Sequence, residues 1–207
     1  SALLEKDLNS ELNQHNFQVL NVSAGSWGPD NAYAWMEEHG DFNAKIMVLV
    51  FSSHDWQDQM AYDDVVGKTP FYPDKNPMLA ITDAAYWLYS RMFNTVNWNN
   101  LGKVKGGVPN NYDHNIGWDQ FLAYAEKNQI PLLIYHHANR EECENNEYNV
   151  MGRELRDFLL SKNAKVISGL KSGLTADDYR DEIHPLNSGT KKIEHAIREE
   201  VLILLSK

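Results

Sequence analysis

Residues 130–137 read IPLLIYHH, and this stretch decides the fold. Its apolar residues are continuous instead of alternating with polar ones, which is the pattern of a strand covered on both faces. A helical pattern precedes it, GWDQFLAYAEKN from Gly117, and another follows, MGRELRDFLLSKN from Met151. Three more runs share its character: FQVLNVS (Phe17–Ser23), AKIMVLVFSS (Ala44–Ser53) and AKVISGL (Ala164–Leu170). Each is short, contains β-branched residues and is bounded by Gly, Asn, Asp or Pro. Helical patterns lie around them in LLEKDLNSELN at the start, NAYAWMEEH after Pro29, and PMLAITDAAYWLYSRMF from Pro77. The clearest helix is the last. Ser188 or Thr190 is expected to cap it, and Ile193, Ala196, Ile197, Val201 and Leu204 share one face. Strands alternating with helices predict an α/β fold whose parallel sheet is covered on both sides.

Composition narrows the function. A chain of 207 residues with 43% hydrophobic content suits one large domain. The net charge of −10 would repel a phosphate backbone, and the 19 Lys and Arg form no long basic run, so nucleic acid is an unexpected partner. The single cysteine, Cys143, can form neither an internal disulfide nor a cysteine zinc site. No apolar run, VLILL near the end included, approaches the roughly 20 residues of a membrane span. The opening SALLEKDLNSELN has neither the basic start nor the apolar stretch of a signal peptide.

The region 56–118 breaks the rhythm. It is aromatic and rich in Pro, Gly and Asn, as in GKTPFYPDKNPM and NTVNWNNLGKVKGG. An insertion of this length between core strands reads either as a substrate-facing cap, with Trp and Tyr suited to stacking on sugar rings, or as a satellite cluster under a long loop.

In a parallel sheet the chemistry gathers beyond the carboxyl ends of the strands. Four segments fall there: NVSAGSWGPDN, FSSHDW, YHHANR and DEIHP. In the last, Asp181 and His184 stand three residues apart. A tight turn lets that carboxylate accept from one ring nitrogen and leaves the other as a base. The plainer alternative is a turn carboxylate beside a surface histidine.

The order of these segments resembles the SGNH or GDSL hydrolase family, and the resemblance spans nearly the whole chain. Its most specific element is the last block, Asp-x-x-His-Pro followed by a Gly-containing helix start, matched by Asp181, His184, Pro185 and Gly189. The resemblance implies a flavodoxin-like three-layer α/β/α sandwich forming a single domain over 1–207, with Asp181 and His184 as the catalytic acid and base. It implies an oxyanion site at Gly25 and Ser26, after the strand that ends at Asn21. The family's Gly-x-Asn-Asp block is replaced by Ser52, Ser53, His54 and Asp55. A neutral imidazole donates one N–H as an asparagine amide does, so His54 is the expected oxyanion donor and Asp55 the residue that orients the loop. The alternative is a histidine satisfied within its own turn. Trp27, Trp56, His136 and His137 are the expected substrate contacts or, for the histidines, packing residues, and no metal or other cofactor is implied.

One block has no counterpart. The family's nucleophile is the serine of a Gly-Asp-Ser after the first strand, whereas the only Gly-Asp here is Gly40–Asp41, followed by Phe42. The expectation is therefore that the first strand and its serine lie upstream of Ser1, with Ser1 itself as the lesser alternative. The activity implied is hydrolysis of an O-acyl ester, foremost an O-acetyl group on a saccharide. The alternatives are a polysaccharide O-acetyltransferase and a carbohydrate-binding domain without catalysis. A polysaccharide substrate would favour the periplasm or the cell exterior.

Overall fold

A computed structural model describes residues 1–12, 17–25, 27–58, 75, 80–92 and 113–206. The chain divides into two compact units, Ser1–Gln59 with Tyr112–Lys207, and Met60–Asn111. In the second unit the described element is a helix, Ala80–Met92; the rest of the predicted insertion, Lys75 apart, lies outside the described residues.

The first unit holds three strands, β1 (Met47–Ser52), β2 (Leu132–His137) and β3 (Lys165–Ser168), in the order β1-β2-β3. Both pairings are parallel. Helices α1 (Ala2–Glu11) and α2 (Pro29–His39) precede β1. With the helix of the second unit as α3 (Ala80–Met92), the remainder are α4 (Gly117–Asn128), α5 (Arg140–Asn145), α6 (Val150–Ser161) and α7 (Asn187–Leu205). The fold is α/β, with helices on both sides of the sheet.

Strand alternation sorts the core into two clusters. On one face Met47, Leu49 and Ile134 pack with Met36, Trp118, Phe121, Leu155 and Leu159. On the other Leu133 and Tyr135 pack with Leu8 of α1 and Ile197 and Val201 of α7. Leu133, Tyr135, Leu155 and Leu159 are completely buried, and each such aliphatic side chain contributes about 1.5–3 kcal/mol of burial. The central strand is buried from Leu133 to His137 because it has a sheet neighbour on each edge and helices above and below.

Phe17–Ser23 departs from expectation: it forms no strand among the described residues. Its backbone is satisfied by α1 instead. The Phe17 N–H donates to Asn9 Oδ1 and the Phe17 carbonyl accepts from Asn9 Nδ2, both at 3.0 Å, while the Val19 N–H donates to Glu5 Oε2 at 2.8 Å. Side chains thus occupy donors that a ladder would have used. β1 is also shorter than Ala44–Ser53, starting at Met47. The last helix begins on Leu186 without a side-chain cap: Thr190 Oγ1 donates to the Leu186 carbonyl, and Ser188 bonds Asp178. Glu194, which helical patterning places on the solvated face, is buried and paired with Arg198 at 3.0 Å; Arg198 also reaches Glu11, clasping α7 to α1.

Asn115 ties the approach to the sheet together. Its Oδ1 accepts from the Asp30 and Gly117 N–H groups at 3.1 and 2.8 Å, and its Nδ2 donates to Asp30 Oδ1 at 2.8 Å and to the Asp58 carbonyl at 2.6 Å. One fully buried amide therefore joins the starts of α2 and α4 to the chain leaving β1. Gly117 allows this approach, since a Cβ there would lie 2.2 Å from the Asp30 nitrogen. Asn115→Ala removes both ends of that amide and leaves buried groups unpaired, so it should destabilise the fold by about 3 kcal/mol. The check is a lowered urea midpoint at unchanged m-value.

Candidate active site

Because the strands are parallel, their carboxyl ends share one edge. Ser52 lies opposite His137 and His136 opposite Ser168, so the segments that follow β1, β2 and β3 leave the sheet together.

The segment after β1 is a 3-10 turn, Ser53–Trp56. Asp55 builds it by turning back on Ser52: its Oδ2 accepts from the Ser52 N–H at 2.7 Å and from Ser52 Oγ at 3.2 Å. Burial raises the Asp55 pKa, opposed by the nearby His54 and the two Ser52 bonds. His54 projects from this turn half exposed, with Nδ1 3.0 Å from Ser52 Oγ. Asp55 thus holds the turn closed through Ser52. His54 is bonded within its own turn through Nδ1, and its Nε2 lies 3.7 Å from Asp55 Oδ1.

Ser53 points the opposite way and is buried. Its hydroxyl donates to Glu142 Oε1 at 2.6 Å and accepts from His136 Nε2 at 3.0 Å. Glu142 is held in turn by the Asn139 N–H at 2.9 Å and the Asn149 N–H at 3.1 Å. A carboxylate buried in this way is tolerated because each oxygen accepts hydrogen bonds. Gly152 makes room for the cluster, since a Cβ there would sit 2.3 Å from Ser53 Oγ. Glu142 belongs to α5, a short helix capped by Asn139 that sequence patterning missed. Its only local signal is Asn139 three residues before an acid, the spacing of a capping box.

The segment 179–185 carries Asp181 and His184. His184 Nδ1 lies 2.8 and 3.0 Å from the two Asp181 oxygens. Asp181 Oδ1 also accepts from the His184 N–H at 2.9 Å and the Ile183 N–H at 3.1 Å. Those two backbone bonds, then the imidazole, hold the Asp181 carboxyl well below the usual range. The turn is anchored outside itself as well. Glu182 accepts from the Arg140 N–H at 2.9 Å, Tyr179 and Pro185 form an antiparallel bridge, and buried Tyr179 donates its hydroxyl to the Ala138 carbonyl. Below it, burial works against Asp178 ionising, but Lys192, Ser188 and Thr175 outweigh that and depress its pKa. His184 remains 59% exposed, with Nε2 unused by any hydrogen bond among the described residues.

The other expected residues are more dispersed. Asn21 is exposed and accepts from Ser23 Oγ at 3.2 Å, Gly25 is exposed, and Ser26 lies outside the described residues. Trp27 is half-buried. Trp56 lies in the core, its Nε1 donating to Glu154 Oε2 at 3.0 Å and its ring stacked on His114 at 4.7 Å. It is therefore no open substrate platform. His114 itself, expected in a solvated loop, is held between that stack and Asp119 at 2.7 Å. His136 and His137 are both buried, so neither lines an exposed rim. Burial pushes His136 down to about 3 and lowers His137 as well, keeping both rings neutral.

Among the described residues, His54, Asp55 and Asp58 bring ligand atoms within 4.8 Å of one another, close enough to share a cation. Asp55 has one oxygen already committed to Ser52, which leaves three donors at most from this group. No described helix is long and apolar enough to cross a membrane. No family model, curated protein or solved structure matches this chain.

The depressed Asp181 sets a pH dependence. A carboxylate whose folded pKa lies below its unfolded value contributes order that is complete above the unfolded value and is lost as pH falls through the folded one. The Asp181 carboxyl carbon should therefore keep the chemical shift of a carboxylate at about pH 4, where a free aspartate is about half protonated, and change only below it. Carbonyl-detected NMR below pH 5 is the check. Asp181→Ala should abolish the pattern at every pH.

Proposed function

We propose that this chain is the core of an SGNH-type ester hydrolase acting on O-acyl groups, foremost O-acetyl groups on a saccharide. The observation that carries the reading is the Asp181–His184 turn at the carboxyl edge of a parallel sheet. Its carboxylate is kept ionised by backbone donors, its Nδ1 is engaged, and its Nε2 faces solvent. An imidazole held in this way has the tautomer and orientation of a general base.

In the proposed mechanism His184 Nε2 removes the proton of a serine hydroxyl as that oxygen attacks the ester carbonyl. Asp181 stabilises the imidazolium, and the imidazolium then protonates the departing alcohol. Water, deprotonated by the same nitrogen, releases the acid and regenerates the serine. The developing oxyanion is met by the backbone of Gly25 and Ser26 and by His54 Nε2 in the imidazolium form, since the Nδ1–H is engaged by Ser52, a role that requires no metal. Asp55 keeps His54 in place through Ser52.

The serine is proposed to come from a segment preceding Ser1, on a further parallel strand. Among the described residues β1 pairs only with β2, and Val50 of β1 is half exposed. An apolar strand edge of this kind calls for a partner. The fold then completes a flavodoxin-like sandwich. His184 makes no hydrogen bond to any serine hydroxyl among the described residues, in keeping with a nucleophile from elsewhere.

The decisive experiment extends the chain at its N-terminus to include that strand. Residues 1–207 alone should hydrolyse p-nitrophenyl acetate no faster than free imidazole, and the extended protein should turn over. His184→Ala should abolish turnover, and His54→Ala should lower kcat by about 10²-fold with little change in KM. Brisk His184-dependent hydrolysis by residues 1–207 alone would overturn the upstream serine. Acetate release measured against transfer to an added glycan separates hydrolase from transferase, and glycan binding without either reaction would leave only a carbohydrate-binding domain.

A further inference from the structure

β2 ends in two adjacent histidines, and successive strand residues face opposite ways. Their rings therefore leave the strand on opposite faces, and each reaches a different turn. His136 lies flat on Tyr148 at 3.9 Å and places Nε2 3.0 Å from Ser53 Oγ, within the turn that carries His54. His137 places Nε2 3.2 Å from the carbonyl of Ile183, between Asp181 and His184. We propose that His136 and His137 are paired positioning residues, each donating its Nε2–H to one of the two turns and so holding His54 and His184 in a common frame. Their catalytic meaning rests on the esterase reading; the fastening itself does not.

The tautomers follow from the partners. A carbonyl oxygen only accepts, so His137 Nε2 carries the hydrogen. The Ser53 hydroxyl hydrogen is directed at Glu142 at 2.6 Å, so His136 Nε2 must donate to Ser53. A neutral imidazole has one N–H. Both Nδ1 atoms are then bare acceptors, and both are buried with no partner.

Native structures rarely leave buried polar atoms unpaired. Packing alone would be served better by Phe or Leu, which fill the volume without an orphaned acceptor. Two such histidines, side by side on the most buried strand, make sense through their other nitrogens. The carbonyl that His137 holds belongs to the residue whose own N–H donates to Asp181, so a shift of Ile183 is a shift of the acid. In the same way, Ser53 immediately precedes His54.

The test uses residues 1–207 and reads amide hydrogen exchange by NMR. His137→Phe should speed exchange at Ile183 and His184 by about tenfold or more while leaving Ser52 unchanged. His136→Phe should do the reverse. Gln, whose amide nitrogen reaches the Nε2 position, should restore protection in each case. Asn, whose amide stops near Nδ1, should not, and that pair decides the matter should a Phe variant fail to fold. Equal loosening of both turns, or none, would overturn the proposal. In the extended enzyme His137→Phe should lower kcat at nearly constant KM and add nothing to His184→Ala. Selective loosening with unchanged turnover would keep the fastening and overturn its catalytic role.

Discussion

Everything at the candidate site depends on the register of three parallel strands. With Ser52 opposite His137 and His136 opposite Ser168, the chain leaves β1, β2 and β3 at nearly one level. A parallel sheet offers no tight hairpins, so each strand must be followed by a crossover that begins at this edge. The turn carrying His54 and the segment carrying Asp181 and His184 are two of those exits. A slip of one residue in β2 would exchange the faces of His136 and His137 and detach each ring from its turn.

Hydrogen bonding, more than apolar packing, determines how these exits are shaped. The two hydrophobic clusters hold the helices to the sheet, and Trp56 carries one of them up to the carboxyl edge. There the interior turns polar: Ser53, Glu142 and His136 on one side, Tyr179 and His137 on the other, and Asn115 at the start of α4. Each buried polar group placed there must find a partner, and geometry leaves few arrangements that satisfy all of them. Loops bound in this way can hold a reactive group in one place, which packing alone does not ensure.

Within that frame the two exposed histidines occupy different electrostatic settings. His184 bonds a carboxylate that two backbone N–H groups also hold. His54 lies near the raised carboxyl of Asp55, and the Ser52 hydroxyl, which donates to Asp55, accepts from His54 Nδ1, so Nε2 of the neutral ring carries no hydrogen. His184 and His54, at one sheet edge, are the groups that the proposed acyl transfer would use.

The sequence by itself determined the alternation of strand and helix, and three of its four apolar runs form the parallel sheet. Continuous hydrophobicity reports burial on both faces directly. It also determined the Asp181–His184 pair, since three-residue spacing closes within one turn whatever surrounds it. Only the tertiary structure decided the rest. Phe17–Ser23 has strand composition, but composition does not say whether Asn9 and Glu5 will take its backbone groups first. Trp56 and the histidines of β2 have the chemistry of substrate contacts, yet packing turns them inward. Ser53 and Glu142 are 89 positions apart in sequence and bond at 2.6 Å. Local pattern carries no record of such pairs, because their meeting is settled by how the strands align and the helices pack upon them.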